Sequence, residues 1–286
     1  MNQPHRPTRS EQREAARAKA KEMRDQHKKS ERRKGLFIKL GVATGIVAVA
    51  AIIAAVVLTS AQNDSSQNQT PTNLTANSGV LIGAGGQAIL NGVTPSPIAT
   101  PVATTKPVSI VTYIDYQCPF CKNFEDANLT QIKGWLDTGL ATLEIRPISF
   151  LDGRGSPNYY SSRAANAALC VAKFSPNSFF AFSQALFANQ PAENTPGEDN
   201  NALATRAINN GAGASQAFKD CVTGKAFGKW IATATSSVLG QVVPGTNPAV
   251  TLQGTPLVLV NGKEYTGAID NAAQFSQFVT GIAAAK

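Results

Sequence analysis

The sequence predicts an α/β fold: a mixed sheet flanked by helices, interrupted by an inserted helical domain and preceded by an N-terminal transmembrane helix. Three observations carry this. Apolar runs follow the order strand, strand, helix, strand, long helical block, hairpin, helix. Cys118 and Cys121 form a Cys-x-x-Cys pair where a strand gives way to a helix. Leu40–Leu58 is an uncharged apolar run of 19 residues, enough to cross a bilayer core as a helix.

Residues 1–35 hold 12 Lys/Arg and 5 Asp/Glu, so they supply +7 of the chain's net +8. The rest is nearly neutral, and the basic character gives no argument for nucleic-acid binding. Helix formers dominate Ser10 to Arg33 without an apolar face. The basic flank precedes the apolar run, and the flank after it is uncharged as far as Asp64. The positive-inside rule then expects a basic cytoplasmic tail (1–35), a transmembrane helix (36–59) and an extracytoplasmic remainder. A cleaved signal peptide is the rival. Its apolar region is usually shorter and its basic region seldom runs to 35 residues. Either way the domain is exported.

Residues 60–78 are polar and read as a flexible linker. Residues 79–286 suit one sizeable domain. Gly79–Gly83 and Gln87–Leu90 read as a strand or hairpin. The glycines between them lack the spacing and the following acid of a nucleotide loop. Four prolines between Pro95 and Pro107 mark an extended connection. Val108–Tyr116 is a strand apolar on both faces. Residues 118–136 are a helix with Phe120, Phe124, Ile132 and Trp135/Leu136 inward. Leu140–Ile145 is a second strand closed by Arg146-Pro147. A helical insertion follows, about 152–240, with stripes at Phe179/Phe182/Leu186, at Ala214/Phe218/Cys221/Val222 and at Trp230/Ala234/Val238. Pro256–Val260 is a strand, Asn261-Gly262 a two-residue hairpin turn, and Lys263–Thr266 its return. Asp270 caps a last helix bearing Phe275, Phe278/Val279 and Ile282.

The spacing of Cys118 and Cys121 has a mechanical meaning. The first cysteine lands at a helix N-terminus, where unpaired N–H groups and the helix dipole favour a thiolate. The second lies about one turn later, so the pair can hold and exchange a disulfide. The only histidines, His5 and His27, precede the apolar run. That excludes Ser-His-Asp and Cys-His hydrolase sites, His-ligated metals and c-type haem from the exported domain. A four-cysteine zinc site fits poorly, because Cys170 and Cys221 are isolated on apolar helical faces. No metal is expected. Cys170 and Cys221 read either as buried thiols or as a disulfide stapling the insertion, which the even count outside the membrane favours. Asp115 reads either as a tuner of proton transfer or as a solvated strand-end carboxylate. Lys122 and Glu125 read as a solvated helix pair in preference to catalytic groups.

Tyr113-Ile-Asp-Tyr-Gln-Cys-Pro-Phe-Cys-Lys-Asn-Phe-Glu125, Arg163-Ala-Ala-Asn-Ala-Ala-Leu-Cys170 and Gly254-Thr-Pro-Leu-Val-Leu-Val-Asn-Gly262 together resemble the DsbA-like class of thioredoxin-fold proteins. The resemblance covers residues 79–286 and is nearest to membrane-anchored Gram-positive members, actinobacterial ones especially. It implies that Cys118 is the nucleophile and Cys121 the resolving thiol. It implies that Pro256 is a cis proline, preceded by Thr255, facing the disulfide, while Pro119, Phe120 and Asp115 are the candidate residues for tuning the pair. Many strong oxidases of the family carry His where Phe120 stands, and Phe cannot hold a thiolate as His does. The implied activity is extracytoplasmic thiol:disulfide oxidoreduction that introduces disulfides into secreted or surface proteins, without a cofactor. The implied partners are unfolded or reduced exported proteins, and a membrane quinone-linked thiol oxidase of the VKOR or DsbB kind that restores the disulfide. Isomerase or reductase action, or a non-catalytic substrate-binding or chaperone module, are the alternatives.

Overall fold

A computed structural model describes residues 68–90 and 106–285. The expected basic tail, the expected transmembrane helix and residues 60–67 of the expected linker lie outside them. Among the described residues no helix is long and apolar enough to cross a membrane.

Five strands form one sheet: β1 (Val80–Ile82), β2 (Val108–Ile114), β3 (Ala141–Pro147), β4 (Leu257–Val260) and β5 (Lys263–Glu264), in the order β1-β3-β2-β4-β5. β2 and β3 are parallel, in register from Val108↔Ala141 to Ile114↔Pro147, and joined by the crossover helix α1 (Pro119–Asp137). The other pairings are antiparallel. β3 runs two residues past the Ile145 that the sequence suggests, because Pro147 sits at the strand end, where its missing N–H costs no interior ladder bond. The Asn261-Gly262 turn has positive φ at both residues, 47° and 78°, as a two-residue hairpin of this twist requires.

Both faces of β2 are covered, which accounts for its near-continuous apolar sequence. Ile110 and Ile114 join Phe124, Ile132 and Leu136 of α1 in the larger core. Val111 and Tyr113 pack with Leu257, Leu259, Val243, Val250 and Leu252 in a smaller one. The cover on that second face is the irregular segment after the helical block.

The insertion contains α2 (Tyr160–Phe174), α3 (Phe179–Ala188), α4 (Asn200–Asn209), α5 (Gln216–Thr223) and α6 (Gly228–Val238). α2 is its axis. Ala164, Ala165, Ala167, Ala168 and Ala172 are all buried, and such small side chains let neighbouring helices approach from several sides. Cys170 of α2 and Cys221 of α5 form a disulfide with Cα atoms 6.0 Å apart. Two sequence readings shift here. The buried residues of α6 are Ile231 and Thr235, one position on from the Trp230/Ala234/Val238 stripe; they continue, one and two turns on, from buried Phe227 at the N-cap, whose N–H donates to Asn166 Oδ1 of α2 at 2.9 Å. Ala214 is exposed in the loop ahead of α5. In α7 (Ala272–Ala284), Phe275 and Val279 face inward, and the cap is Asn271, whose side chain accepts from Gln274 N, rather than Asp270.

Residues 68–78 differ from the linker reading. Gln69 N donates to Ala226 O at 3.0 Å, Asn73 Nδ2 donates to Ala172 O at 2.9 Å, and the Thr75 hydroxyl donates to the Glu144 carboxylate. Pro71 is buried. Polar side chains that hydrogen-bond backbone and side-chain groups fix this stretch, so it carries no apolar periodicity to read.

Candidate active site

The end of β2 and the start of α1 place the cysteine pair. Cys118 is the N-cap of α1, with extended backbone (φ −75°, ψ 118°), and Pro119 occupies the first helical turn, where its fixed φ suits the helix and its missing N–H costs nothing. Cys118 N donates to Asp115 O at 3.0 Å, and Lys122 N donates to Cys118 O at 3.2 Å. Both cysteines are free thiols and both are buried, Cys121 completely.

The cis Thr255–Pro256 peptide just ahead of β4 lies against them. The Cys118 thiol donates to Thr255 O at 3.3 Å. Thr255 Oγ1 is buried and has no hydrogen-bond partner among the described residues, so its hydroxyl is available to a Cys118 thiolate.

The two thiols are driven apart in acidity. The Cys118 thiol is pulled down to about 6, first by a hydrogen bond from Cys121, then against burial by Thr255 and the N–H groups of Cys121 and Phe120. Burial pushes Cys121 well up, helped by its hydrogen bond to Cys118. Asp115 N donates to Cys121 Sγ at 3.5 Å and offsets a little of that. A thiolate on the outer sulfur beside a neutral inner thiol is the arrangement needed for exchange at Cys118.

Asp115 is not a solvated strand-end carboxylate: it is fully buried. Its Oδ1 accepts from Gln117 N (2.8 Å) and the Ser161 hydroxyl (2.7 Å), and its Oδ2 from Leu151 N (2.9 Å). Burial outweighs those three donors and pushes its carboxyl up to about 7. The carboxyl therefore ties the Cys118 turn to the loop after β3 and to α2. The Lys122–Glu125 pair is absent. Lys122 pairs with Asp126 at 2.8 Å, while Glu125 turns inward, where burial pushes it up to about 7. Residue 125 lies one turn after Cys121 on the buried face of α1, a face the sequence pattern assigned to apolar residues only. Phe120 is 62% exposed and stands on the rim, not in the helix core where the sequence pattern put it.

Two glutamines escaped sequence reasoning. Gln117 Nε2 donates to Ala192 O (3.2 Å) and Thr195 O (2.8 Å), and its Oε1 accepts from the Ser156 hydroxyl. Gln190 Nε2 returns the bond, donating to Tyr116 O (3.1 Å) and Cys118 O (2.9 Å). The Cys118 turn and the insertion are thus laced by a reciprocal pair of amides. Gln117 adjoins the cysteine motif; Gln190 stands 72 residues from Cys118 and leaves no local signal. Among the described residues no group of three or more His, Cys, Asp or Glu side chains is placed to hold a metal ion.

Residues 103–280 match the family model described as Thioredoxin. No curated protein matches the sequence. Among solved structures, the chain is similar to the reduced disulfide bond oxidoreductase DsbG of Mycobacterium tuberculosis, at 26% identity and TM-score 0.56, over 73% of this chain and 88% of that one. It is similar to oxidised Mtb DsbA at 26% identity and TM-score 0.53, over 72% of this chain and 92% of that one. The MdbA thiol-disulfide oxidoreductase of Actinomyces oris shares the fold at 20% identity and TM-score 0.53, over 76% of this chain and 95% of that one.

Proposed function

Because the chain belongs to the thioredoxin family, and is a thiol:disulfide oxidoreductase of the DsbA type within it, we propose that it introduces disulfides into secreted or surface proteins outside the cytoplasmic membrane, through Cys118 and Cys121. The observation that carries this reading is the acid–base asymmetry of the pair at the N-cap of α1, with Thr255 O 3.3 Å from Cys118 Sγ.

In the oxidised protein a substrate thiolate attacks Cys118 Sγ. The new bond joins substrate sulfur to Cys118, the Cys118–Cys121 bond breaks, and Cys121 leaves with the electron pair and takes up a proton. A second substrate thiolate then attacks the first substrate sulfur, and Cys118 departs as a thiolate. The product is a substrate disulfide and a reduced Cys118/Cys121 pair. A thiol whose pKa is brought down to about 6 is a good leaving group in that second step. Thr255 N makes no hydrogen bond among the described residues, so the backbone ahead of β4 is free to pair with an extended substrate strand in the mixed disulfide.

The reading further holds that residues 1–35 stay in the cytoplasm, residues 36–59 anchor the protein as a single pass, and a membrane quinone-linked thiol oxidase withdraws the two electrons. Its support is the charge asymmetry about the uncharged Leu40–Leu58 run.

The test is oxidation of a reduced, unfolded two-cysteine protein by the purified oxidised chain. The Cys118→Ser variant is expected to be inactive. The Cys121→Ser variant is expected to accumulate a covalent mixed disulfide that thiol reductant releases. Oxidation by Cys118→Ser at the normal rate overturns the reading. Titration against glutathione then separates an oxidant, near about −120 mV, from a reductase, near about −270 mV.

A further inference from the structure

The rim of the site on the cis-proline side carries a charge that the disulfide chemistry does not use. Phe150 follows β3, and its ring packs against the backbone ahead of Thr255: a Cβ at Gly254 would lie 3.7 Å from Phe150 Cζ. The Arg154 guanidinium carbon lies 4.2 Å from the centroid of that ring. A short chain of contacts therefore runs from Cys118 through Thr255 and Gly254 to Phe150 and Arg154.

Arg154 is held by its backbone as well as by its ring contact. It ends a turn of 3-10 helix, Asp152–Arg154, in which Arg154 N donates to Leu151 O at 2.9 Å. Leu151 N in turn donates to the buried carboxyl of Asp115 at 2.9 Å. The turn closes on Gly155, whose φ of 96° is a left-handed conformation that favours glycine. Arg154 itself is exposed and makes no ion pair among the described residues. Stacking on an aromatic face fixes the plane of a guanidinium and leaves its N–H edge free for a carboxylate.

We propose that Arg154 is a specificity residue for disulfide transfer, favouring reduced polypeptides that carry a carboxylate beside the cysteine that attacks Cys118. The inference rests on the oxidoreductase reading above. A substrate strand lying along the backbone ahead of β4 brings residues flanking its cysteine past Phe150. A glutamate or aspartate there meets the free edge of the guanidinium, and a lysine there is repelled.

The test uses the oxidised protein and reduced two-cysteine peptides that differ only in Glu, Gln or Lys beside the first cysteine. Each single-turnover rate is divided by the rate of the same peptide with a small aromatic disulfide, which removes the effect of the neighbour on the peptide's own thiol. The normalised Glu-to-Lys ratio is expected to be about three to ten at low salt. It is expected to fall below about two in 1 M salt, where the Debye length is about 3 Å. Arg154→Lys is expected to keep a ratio above one, and Arg154→Glu to invert it. A wild-type ratio near one, or a ratio that Arg154→Glu leaves unchanged, overturns the inference while leaving the oxidoreductase reading intact. Failure to oxidise any of the peptides overturns both.

Discussion

Gln190 Nε2 donates to the backbone carbonyl of Cys118 at 2.9 Å, so a residue of the helical insertion holds the N-cap of the helix that carries the cysteine pair. The same nitrogen reaches Tyr116 O at 3.1 Å. The insertion is therefore a part of the cysteine site, fixing the turn whose N–H groups face the Cys118 sulfur. Replacing Gln190 with alanine removes two hydrogen bonds from partly buried carbonyls, which is expected to cost about 1–3 kcal/mol of stability. It is also expected to move the Cys118 titration upward, read as thiolate absorbance against pH, because the loosened cap no longer presents its donors in fixed directions. Gln190→Glu puts an acceptor against those carbonyls and is not expected to restore either property. A stability loss with an unmoved thiolate titration marks Gln190 as structural only.

The difference between the two thiols sets a pH-dependent reactivity. Alkylation of the reduced protein at Cys118 is expected to rise with a midpoint near pH 6, while Cys121 stays unreactive across the same range. Peptide mapping after brief alkylation at pH 5, 6 and 7 checks this. The sign for stability follows. The Cys118 pKa is depressed in the folded state, from 9.0 to about 6. Its contribution to the reduced form is present above pH 9 and is lost as pH falls through 6. The disulfide form lacks this contribution, so the stability of the reduced form relative to the oxidised one is expected to grow from pH 6 to pH 9.

Much of this site was legible because its signals are local. The Cys-x-x-Cys spacing at a strand end, the Asn261-Gly262 turn and the continuous apolar run of β2 each dictate a short-range geometry. The residues that complete the site were not legible, for a common reason. Gln190, Ser156 and Ser161 reach the Cys118 turn only after the insertion folds back onto it, and polar side chains that bond to distant groups leave no periodicity. Glu125 misled in the other direction. A carboxylate three residues after a lysine on a helix reads as a surface pair, but tertiary packing turns it inward.

The two buried carboxyls make stability fall as pH rises. Asp115 is raised from 3.8 to about 7 and Glu125 from 4.5 to about 7, both by burial. A raised acid contributes fully below its unfolded value, and that contribution is lost as pH climbs through the folded value. The window is therefore roughly pH 4 to 7, with each group worth at most about 3–4 kcal/mol. Denaturant unfolding of the Cys118→Ser protein, which lacks the opposing thiol, is expected to show a decline across this window and a plateau above it. Glu125→Gln is expected to flatten the decline, since that carboxyl has no hydrogen-bonded partner among the described residues to lose. Asp115→Asn is expected to flatten it too, but with lower stability throughout, because one side-chain oxygen that accepts from a backbone N–H or from Ser161 becomes a donor. A rise in stability from pH 4 to 7 contradicts the burial argument for both residues.

The Cys170–Cys221 disulfide closes a loop of 51 residues in sequence and joins the central helix of the insertion to α5. The chain-entropy model gives about 4 kcal/mol for a loop of that length, with 2–5 kcal/mol typical of native disulfides. Both sulfurs are buried or nearly so, and α2 is packed on every side, so the reduced or alanine-substituted insertion has little freedom to repack. The Cys170→Ala/Cys221→Ala double variant is expected to unfold about 2–4 kcal/mol more easily by denaturant titration. Its effect is expected to extend to the Cys118 turn, because α2 carries Ser161 to Asp115 at the far end of the same helix. The readout is hydrogen exchange. Loss of protection at the N-terminal turn of α2 as well as around residues 170 and 221 supports this coupling, and loss confined to α5 and the end of α2 rules it out.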